Sequence, residues 1–429
     1  MNADAIKSKG WLVVAAGLGV NLCLGVLYSW SVIGKYISAP AVDPVTKVAN
    51  TTTWGLTAAQ AALPYSVALG VFAIMMVFAG RAQDKLGPRL VSTIGGVLLG
   101  LGLIISSFAT KDTFYIMIIG FGIFGGTGIA LGYASATPGA VKWFPPQKKG
   151  LITGLVVAGF GLASVYIAPL TQALLNAYKV NQTFLILGIL FLFVTVLLSQ
   201  FMVNPPKGYV PAGTAPAQAT TPGTVKKKVE YEWHEMIKKP QFFMMWLMYA
   251  FVSFAGLMII GHMAKIAKVQ VVTELGFLLT AVLAVGNASG RIVAGQVSDK
   301  IGRQWTMMIF FLSQAVFMGI LYFTGSGMVW LLVAAAFGIG FNYGANLTLF
   351  PATTGDYFGV KNMGVNYGLV FTAWGVGGVF GSQVAGSIFD ATGSYGNAYA
   401  IAAGLCILAA VMTLALKPPK HADLAPGEE

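Results

Sequence analysis

Apolar stretches recur along the whole chain, and each is long enough to cross a bilayer as a helix. The hydrocarbon core of a bilayer is about 30 Å thick, so a spanning helix needs about 20 mostly apolar residues. The period-two alternation of a membrane β-barrel is missing from these stretches, which favours helices over strands. The pattern predicts twelve spans, at 11–34, 58–80, 89–108, 113–140, 150–174, 183–203, 241–264, 275–297, 304–323, 329–352, 363–388 and 396–416.

Composition and charge agree with an integral membrane protein. Hydrophobic residues make up 56% of the chain and charged residues 9%, whereas a soluble domain carries about 25% charged residues. Most of the 26 lysines and arginines fall in the loops on one side of the predicted spans. By the positive-inside rule that side is the cytoplasm, and both termini face it. We therefore expect a multi-pass protein of the cell (inner) membrane. Topology accounts for its net charge of +12 without a nucleic-acid partner.

One polar segment interrupts the rhythm of spans and divides the chain in two. Residues 204–240 are rich in Pro, Ala, Thr and Lys, which is typical of a linker. We predict an N-terminal six-helix bundle at 1–203, a cytoplasmic linker at 204–240 and a C-terminal six-helix bundle at 241–429. Within the linker, Glu230–Lys239 is predicted to form an amphipathic surface helix with Trp233 and Met236 toward lipid.

A loop motif occurs once in each half of the chain. Gly80, Asp84 and Arg89 mark the first copy, and Gly295, Asp299 and Arg303 mark the second. Both copies read G-x-x-x-D-K-[LI]-G and then reach a basic residue. The motif predicts a tight turn permitted by glycine, whose aspartate caps the next helix or pairs with a neighbouring cation. Two copies at equivalent positions indicate an internal duplication.

In both places this motif resembles the loop motif of the major facilitator superfamily. The resemblance implies an all-α membrane protein with twelve transmembrane helices in two six-helix bundles. It also implies a secondary transporter, in which the two bundles rock about a central site and give alternating access. We expect no enzyme activity, no cofactor and no metal site, and we expect a monomer in the lipid bilayer.

Arg291 interrupts an otherwise apolar span, in the stretch VLAVGNASGRIVAG. The carboxylates are all predicted outside the spans, so Arg291 is the only full charge predicted inside one. An ionisable residue within the membrane is costly and by default indicates a functional site. The alternative is snorkelling, since the cytoplasmic end of the span is about 9 Å away. An anionic substrate would supply the missing counter-charge, because a guanidinium binds a carboxylate through two parallel hydrogen bonds.

Other polar and aromatic side chains in the spans are weaker candidates. Asn287 lies one helical turn before Arg291 on the same face, where it either contacts substrate or bonds a neighbouring helix. Buried Tyr and Trp usually have a polar partner, and the resemblance implies that spans one, four, ten and eleven line the cavity. The candidates in those spans are Tyr28, Tyr133, Tyr343 and Trp374. His262, near the outer end of span seven, is either a proton-linked residue or an ordinary interfacial histidine.

The second half resembles the oxalate/formate antiporters and the related monocarboxylate transporters more closely. The strings that carry this are Asn287–Arg291 running into Ser298–Arg303, Leu349–Pro351 and Asn366–Gly368. The resemblance implies that Arg291 holds the substrate carboxylate.

Two departures from these families refine the expectation. Trp374 stands where oxalate exchangers carry a second cation, a lysine, so a dianion would keep an unpaired charge in a medium of low polarity. This favours a small monocarboxylate such as lactate, pyruvate, formate or acetate. Asn287 stands where monocarboxylate transporters carry an aspartate used in proton coupling, which puts that route in doubt. We prefer proton-linked transport of a monocarboxylate. The alternatives are carboxylate exchange of the oxalate/formate type and efflux of another small organic anion.

Overall fold

Twelve helices long and apolar enough to span a membrane make up the computed structural model. It describes residues 3–38, 54–145, 149–206, 209, 211, 230–271, 276–359 and 362–419, and these ranges contain no strand. We number the spans α1 to α12. In the first half, α1 combines Ala3–Leu24, a 3₁₀ turn at Gly25–Ser29 and Trp30–Ile37. The others are α2 (Ala58–Leu86), α3 (Pro88–Ser106), α4 (Tyr115–Met117, π-helical Ile118–Gly125 and Gly126–Val141), α5 (Lys149–Ala177) and α6 (Val180–Ser199).

The second half repeats six spans after a short helix at Trp233–Met236. They are α7 (Pro240–Gln270), α8 (Gly276–Ile301), α9 (Arg303–Phe323), α10 (Val329–Phe358), α11 (Met363–Thr392) and α12 (Gly396–Ala415). The twelve predicted spans are thus confirmed. The placement of the bundle boundaries at 203 and 241 stays a prediction.

Two pairs of helices join the halves across the centre of the molecule. Helix α2 packs along α11, and α5 packs along α8. Helix α1 also contacts α5 closely, since a Cβ added to Gly25 would overlap the side chain of Ala163. The 3₁₀ turn of α1 begins at this glycine and carries Tyr28 toward α5 and α8. A tightened turn inside a helix often marks a functional position.

Backbone contact between α8 and α10 fixes the position of the α8 face. A Cβ on Gly290 would overlap the carbonyl oxygen of Phe341, and one on Gly344 would overlap that of Asn287. Small residues allow membrane helices to approach until their backbones touch. This seam holds Asn287 and Arg291 against α10 and leaves their side chains to reach the centre of the molecule.

The two loop motifs lie at the same end of the molecule, which we call the inner end because it is the predicted cytoplasmic end. The opposite end is called the outer end. The turns are made at Gly87 and Gly302, whose φ angles of 82° and 87° suit glycine. Gly80 and Gly295 lie inside α2 and α8. The prediction that the whole motif forms the turn is therefore wrong, because the helices continue to the last glycine.

The charged residues of the second motif form a network at the inner end. Arg303 Nη1 lies 2.8 Å from Asp299 Oδ1, and Arg303 Nε donates to Asp356 Oδ2 at 2.9 Å. Arg303 Nη1 also donates to Ser298 Oγ. In the first motif Arg89 Nε donates to Gln200 Oε1 at 3.0 Å, while the side chain of Asp84 lies outside the described residues. Of the two predicted roles, capping a helix or pairing with a cation, Asp299 has the second.

The linker segment before α7 differs from its prediction. The helix is only Trp233–Met236, and Met236 is fully buried in the protein core instead of facing lipid. The backbone N–H of Tyr231 donates to Phe358 O at 3.0 Å, and Asn366 Nδ2 donates to Tyr231 O at 3.0 Å. These bonds fix the segment to the inner ends of α10 and α11, which turns Met236 inward.

Candidate functional site

Arg291 is buried where the two halves meet. Its side chain is 7% exposed, whereas snorkelling requires an exposed charged head. Nε donates to Asn287 Oδ1 at 3.1 Å, and Nη1 donates to the backbone oxygen of Val157 in α5 at 3.1 Å. Nη2 is buried and has no hydrogen-bond partner among the described residues. One of the three guanidinium nitrogens is therefore unused, and the other two each donate a hydrogen bond to a neutral oxygen.

Asn287 connects the guanidinium to α1. Its Oδ1 accepts from Arg291, and its Nδ2 donates to the Tyr28 hydroxyl at 3.3 Å. Asn287 is fully buried and Tyr28 is almost so. The sequence left open whether Asn287 serves the substrate or an interhelical bond. The structure shows the interhelical bond.

Aromatic rings of the first half surround this polar centre. The Tyr133 side chain is an electrostatic neighbour of the Arg291 guanidinium. The Tyr133 ring lies 5.2 Å from Phe160 and 5.7 Å from Phe72, and the Tyr28 ring lies 5.4 Å from Phe160. Together these rings form apolar walls beside the arginine, where solvent is largely excluded and electrostatic interactions are strengthened.

The second half closes the site with two further aromatic residues. Trp374 Nε1 donates to the Tyr343 hydroxyl at 2.8 Å. The indole stacks on Phe371 with centroids 4.8 Å apart, and it contacts Phe72 at 5.2 Å. Tyr343 is in turn an electrostatic neighbour of Tyr28. The structure therefore brings together six of the predicted site residues, namely Arg291, Asn287, Tyr28, Tyr133, Tyr343 and Trp374. Their role in binding stays a prediction.

His262 does not join this cluster. Its Nε2 lies 3.0 Å from the backbone oxygen of Ser382, and its Nδ1 lies 3.2 Å from the Tyr395 hydroxyl. Because a carbonyl only accepts, Nε2 donates to Ser382, whereas the Tyr395 hydroxyl can donate to Nδ1 of the neutral ring or accept from the protonated one. His262 lines a small pocket near the outer end together with Trp30, Lys35 and Lys265. No hydrogen bond connects it to Arg291 in the part of the chain that the structure describes.

Contacts between the halves close the outer end above the site. Both carboxylate oxygens of Asp390 accept from the first two N–H groups of α2, from Ala58 at 2.7 Å and from Ala59 at 2.9 Å. The hydroxyls of Ser31 and Thr280 lie 3.1 Å apart and connect α1 to α8. Trp30 is fully buried beneath this layer, whereas Tyr133 on the wall of the site is only partly buried. The structure thus shows a conformation that is closed at its outer end.

Several residues of the site carry no signal in the sequence. Phe72, Phe160 and Phe371 form its walls, and Val157 contributes a backbone oxygen. A phenylalanine in an apolar span gives the same pattern whether it faces lipid, another helix or a cavity. The positive charge of Arg291 was the one strong signal available.

The fold and the site define a class: a multi-pass membrane protein of two helical halves with a buried cation between them. Comparison with known families agrees. The family model of the Major Facilitator Superfamily matches residues 12–272 and 270–429, and the chain belongs to that superfamily. Members of this superfamily are transporters, so the chain is a transporter and not an enzyme.

Individual relatives agree with this assignment. An uncharacterized MFS-type transporter of Escherichia coli, YhjX, is 31% identical over 383 residues, covering 88% of each chain. The oxalate:formate antiporter of Oxalobacter formigenes is 26% identical over 89% of this chain and 85% of its own. Monocarboxylate transporter 13 of Rattus norvegicus is 24% identical over 92% of this chain and 85% of its own.

A solved structure shows the same fold. The E. coli xylose transporter XylE, in a partially occluded inward open conformation, superposes with a TM-score of 0.68 at 14% identity. The match covers 96% of this chain and 98% of the xylose transporter. At this identity the likeness concerns the fold alone, and it confirms the predicted arrangement of two six-helix bundles.

Proposed function

We propose that this transporter carries small monocarboxylates by alternating access, with Arg291 as the binding site for the carboxylate. The observation that carries the proposal is the guanidinium itself, which is buried between the halves with Nη2 unpartnered among the described residues. No aspartate or glutamate forms an ion pair with it in the described ranges. A carboxylate that bonds Nη2 and replaces Val157 O at Nη1 would make the bidentate pair for which arginine is suited.

A single negative charge on the substrate fits the surroundings of Arg291. The place at which oxalate exchangers carry a lysine holds the Trp374 indole, which is already bonded to Tyr343 and stacked on Phe371. A second carboxylate would lie among aromatic rings without a cation, which is costly. Two of the relatives are named for oxalate and formate and for monocarboxylates. They support a small organic acid as the substrate class.

Orientation and location follow the charge pattern of the loops. We propose that the protein lies in the cell (inner) membrane as a monomer, with both termini and the inner end in the cytoplasm. The outer end, which is closed in the structure, then faces away from the cytoplasm.

Two kinds of coupling are open to such a carrier. Proton-linked symport is the mechanism that the sequence favours, with His262 as the proton-linked candidate. Carboxylate exchange is the second candidate. It is favoured by His262 having both ring nitrogens bonded away from Arg291.

Substitution of the arginine tests the proposal directly. We expect Arg291→Gln to lower uptake of labelled lactate into proteoliposomes by about 100-fold, because a buried charge pair with the substrate is lost. Lys179→Gln is the control, since it removes an exposed positive charge that lies outside the site and outside both loop motifs, and it should leave uptake unchanged. Lactate, pyruvate, formate and acetate should all be tested. Near wild-type binding of these acids by purified Arg291→Gln would contradict the proposal.

A further inference from the structure

A pair of tyrosine hydroxyls lies among the aromatic rings near the Arg291 site. Tyr249 comes from α7 and Tyr367 from α11, and their hydroxyl oxygens are 3.4 Å apart. The Tyr249 ring stacks on Phe350 with centroids 4.0 Å apart, and the Tyr367 ring lies 5.7 Å from Phe371. Tyr249 is fully buried and Tyr367 is partly buried. Packing therefore holds both rings and directs their hydroxyls toward each other.

The hydrogen-bond count of this pair leaves one donor unused. Each tyrosine hydroxyl has one hydrogen to donate and also accepts. One hydroxyl donates to the other, and the accepting hydroxyl still carries its own hydrogen. No acceptor for that hydrogen occurs among the described residues. The spare hydrogen belongs to one of two hydroxyls packed among aromatic rings, and a ligand oxygen would give it an acceptor.

The pair belongs to the surroundings of Arg291. Tyr367 is an electrostatic neighbour of Arg291 and of Tyr133, and Tyr249 is a neighbour of Tyr133. Tyr133 is in turn an electrostatic neighbour of the guanidinium. Phe371 lies between the two groups, 4.8 Å from Trp374 and 6.3 Å from Tyr249. A cation and a neutral hydroxyl pair thus lie within one cluster of aromatic rings.

We propose that Tyr249 and Tyr367 bind the oxygen on carbon 2 of a 2-oxo or 2-hydroxy monocarboxylate whose carboxylate is held by Arg291. The inference rests on the proposed function and names the substrate class within it. A neutral hydroxyl suits an uncharged keto or hydroxyl oxygen, and it gives a second carboxylate no counter-charge. An acid without an oxygen on carbon 2 would leave the unused donor unpaired, so the site would discriminate against it.

Three acids of three carbons and one charge test the proposal: pyruvate, lactate and propionate. They share the carboxylate and differ at carbon 2, so propionate reports Arg291 alone. Uptake into proteoliposomes is measured as a function of concentration for wild type, Tyr249→Phe and Tyr367→Phe. Each variant removes one hydroxyl and keeps the ring that packs on Phe350 or Phe371. Tyr322→Phe is the matched control, because Tyr322 is half exposed on α9 and its ring packs on Phe323 and beside Gly396, away from the site.

We expect each variant to raise KM for pyruvate and lactate by about threefold to tenfold, since one hydrogen bond is lost. KM for propionate should stay within about twofold in both variants, which also shows that they fold. Equal changes in KM for all three acids would indicate a packing effect and overturn the subsite. The subsite is also overturned if both variants keep the wild-type ratio of KM for propionate to KM for pyruvate. A wild type that carries formate or acetate but none of the three overturns the subsite alone, whereas one that carries none of these monocarboxylates overturns the proposed function and the subsite with it. That result differs from a wild type that carries propionate as well as pyruvate, which overturns the subsite alone.

Discussion

At the scale of single residues, the surroundings of Arg291 distinguish a binding site from a structural ion pair. The guanidinium is held by two neutral oxygens, from Asn287 and from the backbone of Val157. Neutral acceptors orient the group without cancelling its charge, so attraction for an anion is retained. A neighbouring aspartate would have neutralised the arginine and competed with a substrate carboxylate. The positive charge is therefore oriented, buried and still available.

Trp374 is the residue that we expect to set the number of charges on the substrate. Trp374→Lys should introduce uptake of oxalate at the expense of lactate, because the new ammonium would balance a second carboxylate. Competition between labelled lactate and unlabelled oxalate measures the shift. The oxalate concentration that halves lactate uptake should be about tenfold lower in Trp374→Lys than in the wild type, the effect of one added charge pair in a partly buried site.

Trp374→Lys also removes the large indole, so the effect of lost volume needs its own control. A methionine is close to lysine in size but carries no charge, and Trp374→Met loses the same hydrogen bond to Tyr343. Oxalate should compete with lactate in the lysine variant and not in the methionine variant. Oxalate uptake by the unmodified protein at the rate of lactate would show that a second cation is not required.

Some residues of the site were predictable and others were not, for a physical reason. Arg291 stands out because a charge in an apolar span is rare, and Asn287 follows from the helical period that places it on the same face. The phenylalanine walls were not predictable. The chain has 28 phenylalanines, and their direction depends on which helices meet in space. The unused hydroxyl hydrogen of the Tyr249–Tyr367 pair likewise exists only once α7 and α11 are side by side.

At the scale of the helices, apolar length predicted every span, but the local geometry of the spans was hidden. The 3₁₀ turn at Gly25–Ser29 and the π-helical stretch Ile118–Gly125 both lie in glycine-containing apolar sequence that reads as ordinary helix. Helix ends were also misplaced. Helix α7 was expected to end at 264 and continues to Gln270, because a helix may extend beyond the apolar core that defines its span in the sequence. His262 consequently lies two turns inside α7, bonded to α11.

The Asp390 carboxylate joins α11 to the N-terminus of α2 and thereby closes the outer end. Anions are favoured at helix N-termini, where N–H groups lack partners in the helix. Asp390 fills this position from the other half of the molecule, and Lys265 is its electrostatic neighbour. Opening of the outer end must break both hydrogen bonds.

We expect Asp390→Asn to shift the carrier toward conformations that are open at the outer end. An amide keeps one acceptor oxygen but loses the charge, so the shift should be modest at this exposed position, roughly threefold to tenfold. A cysteine at Ser66, which is buried near Gln383 below this layer, serves as the reporter. Its labelling by a membrane-impermeant thiol reagent from outside should increase by that factor.

A second aspartate provides the control for this measurement. Asp356 pairs with Arg303 at the inner end and within the second half, so Asp356→Asn should not increase labelling of the reporter from outside. The native Cys23 and Cys406 are both buried and are removed in the background chain. Unchanged labelling in Asp390→Asn would mean that other contacts hold the outer end closed.

At the scale of the whole molecule, the contact between α5 and α8 joins substrate binding to movement of the halves. The hydrogen bond from Arg291 Nη1 to Val157 O crosses from the second half to the first. Rocking of the bundles moves α5 against α8, and in an empty carrier it would leave Nη1 as well as Nη2 without a partner. Hydrogen bonds to charged groups contribute about 1.5–3 kcal/mol each. A bound carboxylate replaces them and moves with the arginine.

A proton has no evident place beside this cation. Arginine does not lose its own proton in proteins, and no acidic side chain or histidine contacts Arg291 within the described ranges. Both ring nitrogens of His262 are bonded to Ser382 and Tyr395, away from the arginine. Symport, although the sequence favoured it, would therefore need a proton site that is not in contact with the arginine.

We accordingly expect obligatory exchange of one carboxylate for another. Uptake of labelled lactate should require liposomes preloaded with lactate or pyruvate, and an inward proton gradient should not increase it. The reason is that reorientation of the empty carrier leaves the guanidinium unpartnered, so it is slower than reorientation with bound substrate by about tenfold or more. The measurement compares empty with preloaded liposomes, each with and without the gradient, and a protonophore controls for the gradient itself. His262→Gln should behave like wild type in all four conditions. Uptake into empty liposomes that is driven by the gradient and lost in His262→Gln would establish symport through this histidine and contradict exchange.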